Sequence, residues 1–182
     1  MRIRTLTGAV AAVLVLSGPV AGGQAEAVRP AATAAPPGDT RVLTYDAGRA
    51  GEFASAVDRG AAVWNDSVDA VELRPAASGE PADIRVVAVD GWPRTVPGGL
   101  GSGTVYFGRE AVADGHSTVR IAAHELGHVL GLPDRKPGPC SELMSGASAG
   151  PSCASARPNA AERAEVEEKF ERAPAGRSMG PM

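Results

Sequence analysis

The sequence predicts an α+β domain: a small mixed, twisted sheet with an N-terminal helix, a central helix and a C-terminal helix. Three observations predict it. Strand-type and helix-type apolar periodicities alternate in the order β-α-β-β-β-α-loop-α. The 182 residues are 43% hydrophobic and 21% charged, enough for one sizeable core once the ends are set aside. The 23 Gly and 15 Pro gather between the periodic segments, where they read as punctuation. A net charge of −3 offers no basic footprint for nucleic acid, and no apolar run reaches the ~20 residues of a membrane span.

Arg2 and Arg4 precede an 11-residue apolar run, Leu6 to Leu16, which Gly18 and Pro19 break. Ala25-Glu26-Ala27 then places small residues at the −3 and −1 positions of a cleavage site. Residues 1–27 therefore read as a secretory signal, and the mature chain is expected to be extracellular, monomeric and free of membrane. Residues 28–40 are Ala/Pro-rich without periodicity, as in a pro-segment or linker. A folded domain is expected over 41–173 and a flexible tail over 174–182. In an oxidising compartment Cys140 and Cys153 are expected to pair, closing a 14-residue loop worth about 3 kcal/mol. The alternative, two thiolate metal ligands, is the weaker reading because a better ligand set lies next to them.

Arg41 to Asp46 alternates and is rich in β-branched and aromatic residues, so it predicts a first strand. Phe53, Ala54, Val57, Ala61, Val63 and Trp64 follow a helical period within 51–68. Val71 to Arg74 is a short strand, and Ala82 to Val89 a stronger one whose second half is apolar on both faces, as if covered on both sides. Residues 90–101 hold two Pro and four Gly and predict a loop; Thr104 to Phe107 is the last strand. The run Gly98 to Gly103 lacks the spacing of a phosphate-binding loop. Ser117 or Thr118 can cap a helix to Leu130, where Gly131 supplies a left-handed stop and Pro133 blocks continuation. Residues 135–158 are irregular. Asn159 and Glu162 form a capping signature for a last helix to about Arg172.

The chemistry concentrates in Ala122 to Asp134, which contains H-E-x-x-H at His124, Glu125 and His128. On a helix, positions i and i+4 face one way, so two imidazoles can converge on one Zn²⁺. Glu125 is rotated ~100° from His124, near a water on that metal without having to coordinate it. Gly131 ends the helix and turns the chain back, which brings Asp134, three residues on, toward the same metal. Two His and one Asp leave an open position, as catalytic zinc requires. A downstream Glu, Glu142 or Glu162, is the alternative third ligand, but neither lies in a helical E-x-x-x-D context. A zinc-binding module without turnover is a further alternative. It would be expected to lose Glu125, which is present.

His124 to Asp134, Gly138 to Gly146 and Gly150 to Cys153 resemble the snapalysin family of small secreted bacterial neutral metalloproteases. Weaker similarity runs through Leu43 to Asp46, Val63 to Val68 and Pro158 to Arg163, so it covers about residues 41–172. The resemblance implies a compact metzincin-like zincin domain in which the central helix is the active-site helix. It implies one catalytic zinc on His124, His128 and Asp134, Glu125 as general base, and protein or peptide substrates. It also implies Met144 as the structural Met-turn residue, a Cys140–Cys153 disulfide, and a preference for an aromatic residue after the scissile bond. Three positions depart from the family. A Tyr two residues after the Asp ligand, a candidate oxyanion stabiliser, is here Lys136. The Asp and Thr that bind calcium before the active-site helix are here Ser117 and Val119, so calcium is not carried over; nearby Asp114 offers one carboxylate only.

Overall fold

A computed structural model describes residues 40–173. The signal segment 1–27, the pro-segment or linker 28–40 except Thr40, and the tail 174–182 lie outside the described residues. The elements in chain order are β1 (Arg41–Arg49), α1 (Ala54–Asn65), β2 (Val71–Pro75), β3 (Ile84–Val89), β4 (Arg94–Gly99), β5 (Ser102–Gly108), α2 (Arg109–Ala113), α3 (Thr118–Val129) and α4 (Ala160–Arg172). Short 3₁₀ segments at Gly51–Phe53 and Leu143–Ala149 complete them. None of these helices is long and apolar enough to cross a membrane.

The five strands form one mixed sheet in the order β2-β1-β3-β5-β4, and the fold is α+β as expected. All neighbours are parallel except β4 and β5, which form an antiparallel hairpin. Alternate residues Leu43, Tyr45, Ile84, Val86, Val105 and Phe107 bury one face of the sheet, as a period of two requires. Trp64 of α1, Leu126 of α3 and Phe170 of α4 belong to the same core.

Two expectations need correction. The predicted loop 90–101 contains a strand, β4. Its Pro97 and Gly99 are turn-type residues, but an edge strand tolerates them because its outer side needs no ladder donors. The second half of β3 is not covered on both sides: Val87, Ala88 and Val89 are half-buried, and Val42 on β1 is 44% exposed. The buried core lies against one face, leaving the other partly open to water. The short helix α2 was also absent from the sequence reading.

Helices α1 and α3 cross at close range. A Cβ on Gly60 would lie 2.7 Å from Ala122 Cβ and 2.9 Å from the Ala123 nitrogen, so only glycine fits there. Trp64, fully buried, donates its indole N–H to the Ala123 carbonyl at 2.8 Å. That bond ties α1 to the turn of α3 that carries His124 and Glu125.

Candidate metal centre

Helix α3 presents the site, and both of its ends are chemically specified. Ser117 Oγ accepts the Arg120 N–H at the start. At the other end Gly131 adopts φ +92°. Its N–H donates to His128 O at 3.0 Å, and the Leu132 N–H donates to Gly127 O at 2.9 Å. This is a Schellman closure, which redirects the chain within one turn. Pro133 and Asp134 follow directly, and the Arg135 N–H donates to the Met144 carbonyl at 2.8 Å. Asp134 is thereby held between the end of α3 and the loop that carries Met144.

The three side chains converge. His124 Nε2 and His128 Nε2 are 3.1 Å apart, and Asp134 Oδ1 lies 3.3 Å and 3.5 Å from them. Four ligands at the ~2.0–2.2 Å typical of zinc would stand about 3.3–3.6 Å apart in a tetrahedron. The two distances to Asp134 fall in that range, and the distance between the imidazoles, 3.1 Å, lies just below it. The tautomers match as well. His124 Nδ1 is 3.0 Å from the Leu143 carbonyl, and His128 Nδ1 is 2.8 Å from the Leu132 carbonyl. A carbonyl only accepts, so each Nδ1 carries the proton and each Nε2 turns a lone pair toward the other. Two facing lone pairs and a carboxylate oxygen repel one another, and a cation among them relieves that repulsion. Among the described residues, these are the only His, Cys, Asp or Glu ligand atoms found converging in a group of three.

Burial sets the charge states. His124 is 6% exposed, and that burial pushes its imidazole down to about 4, so it stays neutral and able to ligate at neutral pH. Burial also raises the pKa of Glu125, 4% exposed, while a hydrogen bond from Thr95 opposes the rise. Lys136 Nζ lies 3.1 Å from both Asp134 oxygens and neutralises the carboxylate on its outer side.

The site opens into a cleft of about 1110 Å³ that His124, Glu125, His128, Asp134 and Lys136 line along with the edge strand β4. A narrower recess continues past His124 and Glu125 between Trp92, His116 and Ile121.

The loop behind the site is held by two buried charged side chains, a buried methionine and a disulfide. Arg120, one turn before His124 and 4% exposed, donates to the carbonyls of Glu142 at 2.8 Å, Leu143 at 3.3 Å and Cys140 at 3.4 Å, to that of Ser155, and to Ser145 Oγ at 2.9 Å. Burial lowers its pKa, and the Glu162 carboxylate opposes that shift. Glu162, fully buried, accepts from the N–H groups of Leu143, Met144 and Asn159 at 3.1, 2.8 and 2.7 Å. It thus completes the α4 capping box and clamps the loop at once. Met144 is fully buried, and a Cβ on Gly127 would lie 2.8 Å from its sulfur. Cys140 and Cys153 are joined in a disulfide across the same loop. Glu162 is occupied in those bonds, and among the described residues it is Asp134, not Glu142 or Glu162, that groups with the two imidazoles. Glu162→Ala leaves three backbone donors without an acceptor, so it is expected to destabilise the fold by at least about 3 kcal/mol. Urea unfolding measures this, and an unchanged midpoint would contradict the clamp.

The sequence reading missed two residues of this site. Arg120 had a visible signal, because it lies four residues before His124 on the helix face that also carries His128. Thr95 had none, since its contact with Glu125 depends on the unforeseen strand β4.

The sequence model of the Streptomyces extracellular neutral proteinase (M7) family matches residues 40–172. Proteins named extracellular small neutral protease are among the relatives. That of Streptomyces sp. (strain C5) is 43% identical over 135 residues, 73% of this chain and 58% of the relative. That of Streptomyces lividans is 43% identical over 124 residues, 67% of this chain and 53% of the relative. That of Streptomyces caespitosus is 41% identical over 131 residues, 70% of this chain and 95% of the relative. The chain therefore spans little more than half the length of the first two and nearly all of the third.

Proposed function

The chain belongs to the Streptomyces extracellular neutral proteinase (M7) family, and from that premise we propose that it is a secreted zinc-dependent endopeptidase. One observation carries the proposal: His124, His128 and Asp134 stand close to tetrahedral spacing with both imidazole lone pairs turned inward. These three would hold the ion. Zinc bound there would supply Lewis acidity, polarising a carbonyl and bringing the pKa of a water toward ~7.

Glu125 performs the proton transfers. Its carboxylate takes a proton from the attacking water and later delivers it to the departing amine nitrogen. The C–N bond breaks as that nitrogen is protonated, and the water oxygen remains in the new carboxylate product. Burial suits Glu125 to this alternation, because a raised pKa makes it a stronger base than an exposed carboxylate.

Substrate is an extended peptide lying beside β4. That strand pairs with β5 on one side and with no other described strand, and it borders the cleft. Main-chain pairing with such an edge holds a peptide with little regard to sequence. Met144 acts as the packed floor of the site, and the Cys140–Cys153 bridge restrains the loop that carries it. The signal segment and the names of the relatives support an extracellular location.

Casein hydrolysis is expected to cease with a zinc chelator and to return when zinc is restored. Undiminished hydrolysis in the fully stripped protein would contradict the proposal. A protein that binds zinc but never hydrolyses peptides would favour the non-catalytic module instead.

A further inference from the structure

Thr95 is the one described side chain that gives Glu125 a hydrogen bond. Its Oγ1 lies 2.7 Å from Glu125 Oε2 and 3.0 Å from the Glu125 carbonyl oxygen. The contact joins residues 30 apart in sequence and crosses from the edge strand to the helix. Strand β4 is held by β5, with Thr95 opposite Val105, and its other side lines the cleft. We propose that Thr95 is the positioning residue for Glu125, and that it ties the orientation of this carboxylate to the strand along which substrate docks. The inference rests on the reading of Glu125 as the proton-transferring group.

The donor inventory makes the hydroxyl suited to this task. A threonine hydroxyl has one proton and two lone pairs. Facing a carboxylate, it donates to Oε2, the stronger of its two acceptors. Once Glu125 has taken a proton from water on its other oxygen, Oε2 becomes the carbonyl oxygen of the acid and still accepts from Oγ1. Both states keep the Thr95 hydrogen bond to Oε2. No heavy atom has to move between the two proton transfers. A methyl group in place of the hydroxyl leaves Oε2 without its side-chain hydrogen-bond donor. A serine hydroxyl would retain the bond to Oε2.

The test compares Thr95→Val, Thr95→Ser, Glu125→Gln and the double variant Thr95→Val/Glu125→Gln, each loaded with one zinc and matched for thermal midpoint. A hydrogen bond to a charged group supports a fall in kcat of roughly ten- to hundredfold for Thr95→Val, with KM within about threefold of wild type. Thr95→Ser is expected to stay within about threefold in kcat. In the Glu125→Gln background, adding Thr95→Val is expected to lower kcat no further. Thr95→Ala replaces Thr95→Val if the valine variant does not fold. A valine variant with wild-type kcat, a loss confined to KM, a serine variant as impaired as valine, or additive losses in the double variant would each overturn the proposal. The single Glu125→Gln variant separates the two readings. If it is fully active, the base assignment fails and takes this proposal with it. If it is inactive while Thr95→Val is unimpaired, the positioning role alone fails.

Discussion

Glu125→Gln is expected to lower kcat by about 10²–10⁴-fold while leaving binding of zinc at the proposed site intact. Glutamine preserves the side-chain volume and an oxygen for Thr95 Oγ1, 2.7 Å from the present Oε2. An amide cannot take up the water proton, so the chemical step loses its acceptor while the packing around α3 is kept. The proposed metal ligands do not depend on Glu125: each imidazole is oriented by a backbone carbonyl, Leu143 or Leu132. Peptide hydrolysis measured beside metal content separates these effects. Wild-type kcat would remove Glu125 from the mechanism. A Gln variant without metal would instead make Glu125 part of the metal centre.

Asp134→Ala is expected to weaken zinc binding by at least about a hundredfold, since even the loss of an outer partner costs 10–100-fold. The variant retains two imidazoles but no anionic ligand, and Lys136 then stands beside the site without its carboxylate. Asp134 is 47% exposed at the side chain and outside the core, so the fold is expected to survive. Competition with a chromophoric chelator gives the affinity. An unchanged value would move the third ligand elsewhere, and Glu142 would become the residue to examine.

The sequence made one part of this site legible because that part is local. H-E-x-x-H on an amphipathic segment places His124 and His128 on one helix face by period alone. Gly131 followed by Leu132-Pro133 predicts the stop and return that deliver Asp134, and the Schellman bonds at Gly131 and Leu132 realise it. The Asn159–Glu162 capping box was likewise readable from four consecutive residues. What stayed hidden joins segments distant in the chain. Glu162 reads as a helix cap, yet the same carboxylate holds Leu143 and Met144, 19 and 18 residues away. Arg120 reaches as far as Ser155. Strand β4 was masked by Pro97 and Gly98, whose turn propensity is outweighed by pairing with β5. With β4 hidden, the Thr95–Glu125 contact and the edge beside the cleft were hidden too.

The central claim is that one zinc sits on His124, His128 and Asp134. Crystals of the zinc-loaded protein measured on both sides of the zinc absorption edge test it most directly. A single anomalous peak is expected at about 2.0–2.2 Å from His124 Nε2, His128 Nε2 and an Asp134 oxygen. A peak bound by other side chains, or full peptidase activity in protein whose crystals show no peak at these three residues, would contradict it.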